Sequence, residues 1–411
     1  MSDQYDLIEV PKEKLAVGMA LKFTLRDKTG LTLLAKGQKI ENAVQLDGIK
    51  ARGRVFVEID ESDEGVRLMM QGLTQMTIQE APLKDFSKFV HVGNPIGGDE
   101  DKLTGTLLQR WSDVESKLRG LLASSDKTAD FVPKIKKVDS FIQALTTEDT
   151  AGSLFILFNR GVTQFTGYSA LHALHCAMLG HLVAGIFKLP ENERQTLVCA
   201  ALTMNIGMMQ LQDELALQKQ TPSPMQRTQI DTHARQGRQM LEAAGVTDPL
   251  WLAIVAAHHA RLDVGDNILS WPVHVRLTYI LQTLDRYTAA MAPRKSRAGR
   301  TARDTVRTIV VQPGGSKPDE AGSALVRLLG LCPPGTYVKL AAGETAVVLR
   351  RGIKPGEPVV ATVLNRNDEP IALPRLQDTS RPGLQIQATL SATAIRVNLN
   401  LETMLKLIPR N

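Results

Sequence analysis

The chain has 411 residues, of which 43% are hydrophobic, 4% aromatic and 22% charged, with a net charge of +6. This length exceeds one ordinary core and predicts two or three domains, while the apolar content excludes a disordered chain and a small disulfide-stapled one. The cysteines, Cys176, Cys199 and Cys332, are odd in number, far apart and without CxxC spacing, which predicts reduced, buried thiols in a cytoplasmic protein.

The opening "MSDQYDLIEVPKEKL" has no basic region followed by an apolar run, so no signal peptide is expected. The segments "ALKFTLRD", "LTLLAKG" and "RVFVEID" read as short strands with turns at Lys28-Thr29-Gly30 and Lys36-Gly37. Between them "ENAVQLDGIKARG" has helical spacing, with Val44, Leu46 and Ile49 on one side and Gly53 as a stop. Residues 1–65 are therefore expected to form a small α+β domain. Residues 66–105, with the Gly- and acid-rich "VGNPIGGDEDK", form a connecting segment.

Residues 106–311 are helical by period, with breaks at Leu189-Pro190, "QTPSP" and "VTDP". The nearest approach to a membrane span, His172 to Leu189, carries three histidines and a lysine and reads as a core helix. Residues 312–411 begin with a loop and one short helix, "SALVRLLGL". They continue with period-two strands in "TYVKLAAGETAVVLRR" and "PVVATVLN", and "ATLSATAIRVNLNLETMLKLI" adds a strand or two and a closing helical turn. The expected fold class is mainly α, an all-helical domain flanked by a small α+β N-terminal domain and a small β-rich C-terminal appendage.

Seven of the eight histidines fall between residues 172 and 274, inside the helical block. His172 and His175 share a helix face at i, i+3, whereas His258 and His259 are adjacent and on a helix would point about 100° apart. His233 precedes Gly237 by four residues, where a helix can approach its neighbour closely. Asp285 is the lone acid in the apolar run "LTYILQTLDRYTAAM", and a buried carboxylate of this kind needs a cation or donors. Imidazole and carboxylate together suit Fe, Mn or Zn, and such clusters serve to ionise a water beside a phosphodiester. The basic run "PRKSRAGRTARDTVR" suits phosphate groups or a solvated loop equally.

In order along the chain, His172 near a helix start, "ALTMNIGMM", "IDTHARQG", "HH", "LDRYTAA" and "PPGTYVKLAAGETAVVL" resemble the HD-GYP family of metal-dependent cyclic-dinucleotide phosphodiesterases. "LAVGMALKFTLRDKTGLTLLAKGQKIENAVQLDGIKARG" is similar to the small domain that often precedes it, and the resemblance spans roughly residues 8–60 and 160–375. It implies a helical HD-type domain, a bacterial signalling role, and His172, His233, His258, His259 and Asp285 as metal ligands. It also places Arg294 and Arg297 near substrate phosphates. The family's His-Asp-Ile-Gly-Lys segment is altered, with Met204, Asn205 and Met208 in place of its histidine, aspartate and lysine. After His259, Ala260 stands for its glutamate and the Gly-Tyr-Pro motif is missing.

An asparagine carries no charge to bridge two cations, and a thioether is a poor ligand for hard Mn or Fe. The resemblance therefore implies a degenerate member with no catalytic residue assigned, acting by binding cyclic di-GMP or another nucleotide, one Fe, Mn or Zn ion, or a signalling protein, without a membrane span or nucleic-acid partner. The alternatives are a phosphohydrolase with a reduced metal site and an adaptor without any ligand.

Overall fold

A computed structural model describes residues 103–408 except 126, 127, 129, 263–266, 311–318, 396 and 398. Before them it describes residues 7–10, 15, 17, 18, 25–27, 32–34, 40–51 and 55–58. Most of the connecting segment 66–105 lies outside the described residues. The chain divides into two compact units, Met1–Lys102 and Leu103–Asn411.

In the first unit the strands β1 (Leu7–Val10), β2 (Leu25–Asp27), β3 (Thr32–Leu34) and β4 (Val55–Glu58) make an antiparallel sheet in the order β1-β4-β2-β3. Helix α1 (Ala43–Ala51) joins β3 to β4, and Ile49 is buried with Leu15, Leu25, Leu34, Ile40 and Val55 while Leu46 packs against that cluster. This small core is the α+β module that the short alternating segments predict.

The second unit is mainly helical. Helices α2 (Leu107–Ala123), α3 (Phe131–Glu148) and α4 (Thr150–Thr163) lead into α5 (Tyr168–Phe187) and α6 (Glu191–Thr203). A 3₁₀ turn at Ile206–Met208 precedes α7 (Met209–Leu217), α8 (Pro224–Ala243), α9 (Pro249–Ala257), α10 (Val273–Met291), α11 (Ala302–Val310) and α12 (Glu320–Leu329). The predicted breaks are real ends with chemical causes. Ser223 and Gln226 form a capping box at the start of α8, and the Asp248 side chain accepts from Leu250 N and Trp251 N at the start of α9.

Helix α5 is apolar nearly all round because it is the centre of this unit, packing against α2, α3, α4, α6, α7, α10 and α12. Among the described residues it is the one helix long and apolar enough to cross a membrane, and 72% of that window is buried inside the protein. All three cysteines are free and buried.

The C-terminal sheet has the order β8-β7-β6-β5-β9, antiparallel throughout, with β5 (Tyr337–Leu340), β6 (Thr345–Arg350), β7 (Val359–Leu364), β8 (Pro370–Asp378) and β9 (Ile386–Leu390). Helix α13 (Leu401–Leu407) closes the chain, with its Met404 in the same cluster as Phe155 of α4 and Tyr337, Val347 and Leu349 of the sheet. Gly335, at φ +81°, lies so close to α4 that a Cβ would stand 2.4 Å from the Asn159 backbone nitrogen. That glycine lets the sheet dock on α4. Strand β8 is missing from the sequence-based expectation because Pro370 and Pro374 interrupt its pattern, and an edge strand tolerates proline where a central one does not.

Candidate metal centre

The N-terminus of α5 carries His172, and two features fix it there. Gly167 at the N-cap has no side chain to cap the helix, and Asp213 of α7 takes over, accepting from Ser169 N at 2.7 Å and from Ser169 Oγ at 3.0 Å. The Tyr168 ring stacks on His172 at 5.4 Å between centroids. His172 Nε2 then meets Asp285 Oδ1 of α10 at 2.8 Å. One turn on in α5, Cys176 Sγ lies 3.7 Å from the same Nε2 and 3.2 Å from Thr288 Oγ1.

The second cluster forms where α8 meets the end of α9. His233 Nδ1 lies 2.5 Å from the Ile230 carbonyl oxygen and His258 Nδ1 lies 2.6 Å from that of Val255. A carbonyl only accepts, so each Nδ1 carries its proton and each neutral ring keeps a bare lone pair on Nε2. Those two Nε2 atoms face one another at 3.0 Å. His259 completes the group, its ring 4.1 Å from that of His258 and 5.0 Å from that of His233. The adjacency of His258 and His259 does not hold them apart as it would on a helix, because α9 ends at Ala257 and the chain turns there, with Ala260 N donating to the Ala257 carbonyl at 2.8 Å. Gln282 of α10 pins this turn by donating to the Ala257 and Ala260 carbonyls at 3.3 and 2.8 Å.

The two groups, His172–Cys176–Asp285 and His233–His258–His259, each bring three ligand atoms within 4.8 Å of one another. Asp285 links them electrostatically. Burial alone would raise its carboxyl, but the hydrogen bond from His172 and the fields of His172, His258 and His259 hold it down at about 2. The His172 imidazolium is favoured in turn: burial works against it, and Cys176, Tyr168 and Asp285 together outweigh burial and raise it well above its usual value. Burial, and then His259, lower His258 to about 4, and burial with His259 lowers His233 despite its bond to Ile230.

The donor set fits a metal ion. Each imidazole of the facing pair has its Nδ1 proton fixed by a carbonyl, the arrangement that orients a ligating histidine. Only a cation or a shared proton relieves two lone pairs at this separation, and the lowered proton affinities of His233 and His258 disfavour the proton.

No family model matches the chain, and no curated protein matches it. Among solved structures, it is similar to Bd1817, a HDG"Y"P protein from Bdellovibrio bacteriovorus, at 12% identity over 78% of this chain and 98% of that one, with a TM-score of 0.44.

The segment that bears Met204, Asn205 and Met208 lies against α8. The apolar run "CAALTMNIGMMQL" is not one helix: α6 ends at Thr203, and Asn205 sits in the break before the 3₁₀ turn. Gly207 lies against the His233 carbonyl and Gly237 N, the close approach that Gly237 predicts. Met204 is fully buried, Met208 is half-buried, and Ala260 is exposed. The buried Asn205 Oδ1 has no hydrogen-bond partner among the described residues. Asp263, the first acid after the histidine pair, lies outside the described residues.

The basic loop after α10 folds over Tyr168. Arg294 pairs with Arg297 in a short antiparallel bridge, and its guanidinium lies 5.6 Å from the centre of the Tyr168 ring. Arg294 Nε is buried without a partner among the described residues, and burial, with Arg294 beside it, lowers the Arg297 pKa.

His175 stands apart from both clusters. It is buried against Phe158, its Nε2 is unpartnered among the described residues, and burial followed by the field of His172 lowers it to about 3. His175 and His258 both have folded values below the usual 6.5, so their contribution to stability is full above about pH 6.5 and is lost as pH falls toward 4 and 3. Each tenfold change in proton affinity is worth about 1.4 kcal/mol, so metal-free protein is expected to lose several kcal/mol of stability between pH 6.5 and 4. Urea titrations across that range check this, with His175→Leu expected to flatten the slope; an unchanged slope in that variant counts against it.

Proposed function

We propose that the helical unit is a metal-dependent binding module of the HD-GYP type that holds a phosphate-bearing ligand, cyclic di-GMP on the family resemblance, and does not hydrolyse it. The observation that carries this reading is the facing pair of His233 and His258 Nε2 atoms at 3.0 Å beside a turn that bears Asn205 in place of a carboxylate. The imidazoles can hold a cation. A bound cation would lower the pKa of a coordinated water and offset phosphate charge.

The chain's own groups support binding better than cleavage. Asn205 is neutral, so two cations held together here would lack a bridging anion, and buried Met204 offers only a thioether. Arg294 and Arg297 provide fixed positive charge next to Tyr168, where a phosphate would exchange their desolvation for charge-assisted hydrogen bonds. A signalling protein that reads the ligand-bound state is the implied partner.

The test is incubation of chelator-free protein, supplied with Mn²⁺ or Fe²⁺, with cyclic di-GMP. Calorimetry is expected to register metal-dependent binding, and chromatography no linear dinucleotide after long incubation. Steady formation of linear dinucleotide that disappears in His258→Gln would replace this reading with that of a hydrolase. Unchanged metal and ligand binding in a His258→Gln/His259→Gln variant of normal stability would favour an adaptor that uses the helical surface alone.

A further inference from the structure

The geometry points to Cys176 as a metal ligand, forming with His172 and Asp285 a mixed nitrogen, sulfur and oxygen site that selects zinc. This rests on reading the His172–Asp285 end of the cluster as part of a metal centre, and it adds a donor that the histidine pattern does not supply. Cys176 is one turn beyond His172, so on α5 the two side chains share a face. Cys176 Sγ is 3.7 Å from His172 Nε2, Asp285 Oδ1 is 2.8 Å from that same nitrogen, and all three ligand atoms lie within 4.8 Å of one another.

Tetrahedral zinc, with bonds of about 2.0–2.3 Å, separates neighbouring nitrogen and sulfur donors by roughly 3.5 Å, so the thiol and imidazole already stand at ligand spacing. The nitrogen-to-oxygen separation needs to open by roughly half an ångström.

Charge supports the same assignment. The cluster lacks the anion that an aspartate at position 205 would bring, and the three-imidazole group contributes none. A Cys176 thiolate and the Asp285 carboxylate together supply two negative charges, which one divalent ion neutralises. On binding, the thiol proton and the Nε2 proton of His172 leave to solvent, and Sγ, Nε2 and Oδ1 each donate a lone pair. Thr288 holds the pocket, its Oγ1 lying 3.2 Å from Cys176 Sγ and 3.4 Å from His172 Nδ1. A thiolate in the set favours zinc over manganese or magnesium, which prefer oxygen.

Cobalt substitution of the full chain tests this. Co²⁺ is expected to produce a near-ultraviolet thiolate-to-cobalt charge-transfer band that Zn²⁺ bleaches and excess Mn²⁺ does not. Cys176→Ser is expected to abolish the band, and His258→Gln/His259→Gln to leave it in place. The same serine substitution is expected to weaken zinc by more than the roughly 10–100-fold that loss of an outer-shell partner costs. Visible d–d bands without the charge-transfer band would overturn the thiolate assignment and leave the imidazole site standing, whereas no cobalt spectrum at all would overturn both. Because the wild-type spectrum alone decides for or against a thiolate ligand, the test survives a serine variant that fails to fold. Neither Cys199 nor Cys332 belongs to a three-ligand group among the described residues, so a band that persists in Cys176→Ser also counts against the proposal.

Discussion

Gly207→Ala is expected to cost roughly 3 kcal/mol of stability and to weaken metal binding by the imidazole group in whatever folded protein remains. A Cβ at this position would stand 2.4 Å from the His233 carbonyl oxygen and 2.8 Å from Gly237 N, both backbone atoms that cannot swing aside. Relief requires the Ile206–Met208 turn to lift from α8 or α8 to move away from the turn. Movement of α8 shifts His233, whose Nε2 faces His258, and movement of the turn removes the contact against which the His233 backbone is seated. Gly237→Ala makes the internal comparison, since its Cβ would meet Ile206 Cγ2 at 3.3 Å and Gly207 N at 3.5 Å. A side-chain methyl can give by a few tenths of an ångström, so this second variant is expected to cost less. Denaturant midpoints for the two variants check the order; equal and small losses would show that the turn and α8 are not in hard contact.

The same glycine shows how much the sequence can disclose. The mainly α class, the helix breaks before Pro190, Pro224 and Pro249, and the β-rich C-terminal region follow from hydrophobic period and from caps, which are local signals. Strand β8 escapes the same treatment because its prolines are tolerated only by virtue of its place at the sheet edge, a tertiary fact. At the candidate centre, the residue types are visible in the chain, but the pairing of His172 with Asp285 spans 113 positions and that of His233 with His258 spans 25.

Adjacency even misdirects, since His258 and His259 converge only because α9 stops one residue before them. Cys176 is legible in spacing, four residues after His172, yet a lone thiol in an apolar helix has no sequence feature that separates ligand from core. Asp213, Gln282 and Thr288 hold the site residues in place through hydrogen bonds to chain segments distant in sequence, and no local pattern announces them.

Replacing Arg194 with Met is expected to cost about 3–5 kcal/mol, the range for removing one partner of a buried ion pair. Arg194 lies in the first turn of α6 and grips α3, donating from both terminal nitrogens to Asp139 at 2.7 Å each. Its side chain is 6% exposed and that of Asp139 only 1%. Without the guanidinium, Asp139 remains as a buried carboxylate with no strong donor among the described residues, since the Gln143 amide turns its oxygen to Arg194 and offers Asp139 no hydrogen. The exposed Glu191, which also accepts from Arg194, can turn to water and adds little to the loss. Asp139→Leu/Arg194→Met is therefore expected to recover much of the stability, because two apolar side chains of similar volume remove the stranded charge along with its partner. Nine helical residues at about 1.5 Å each put Arg194 roughly 14 Å along α6 from its end at Thr203, before the Asn205 break, so the variants are expected to bind metal normally once folded. Urea denaturation of both variants beside cobalt titration separates the two effects. A single-variant loss below about 1 kcal/mol would mean that water reaches Asp139 and that α6 is held to α3 by its apolar face alone.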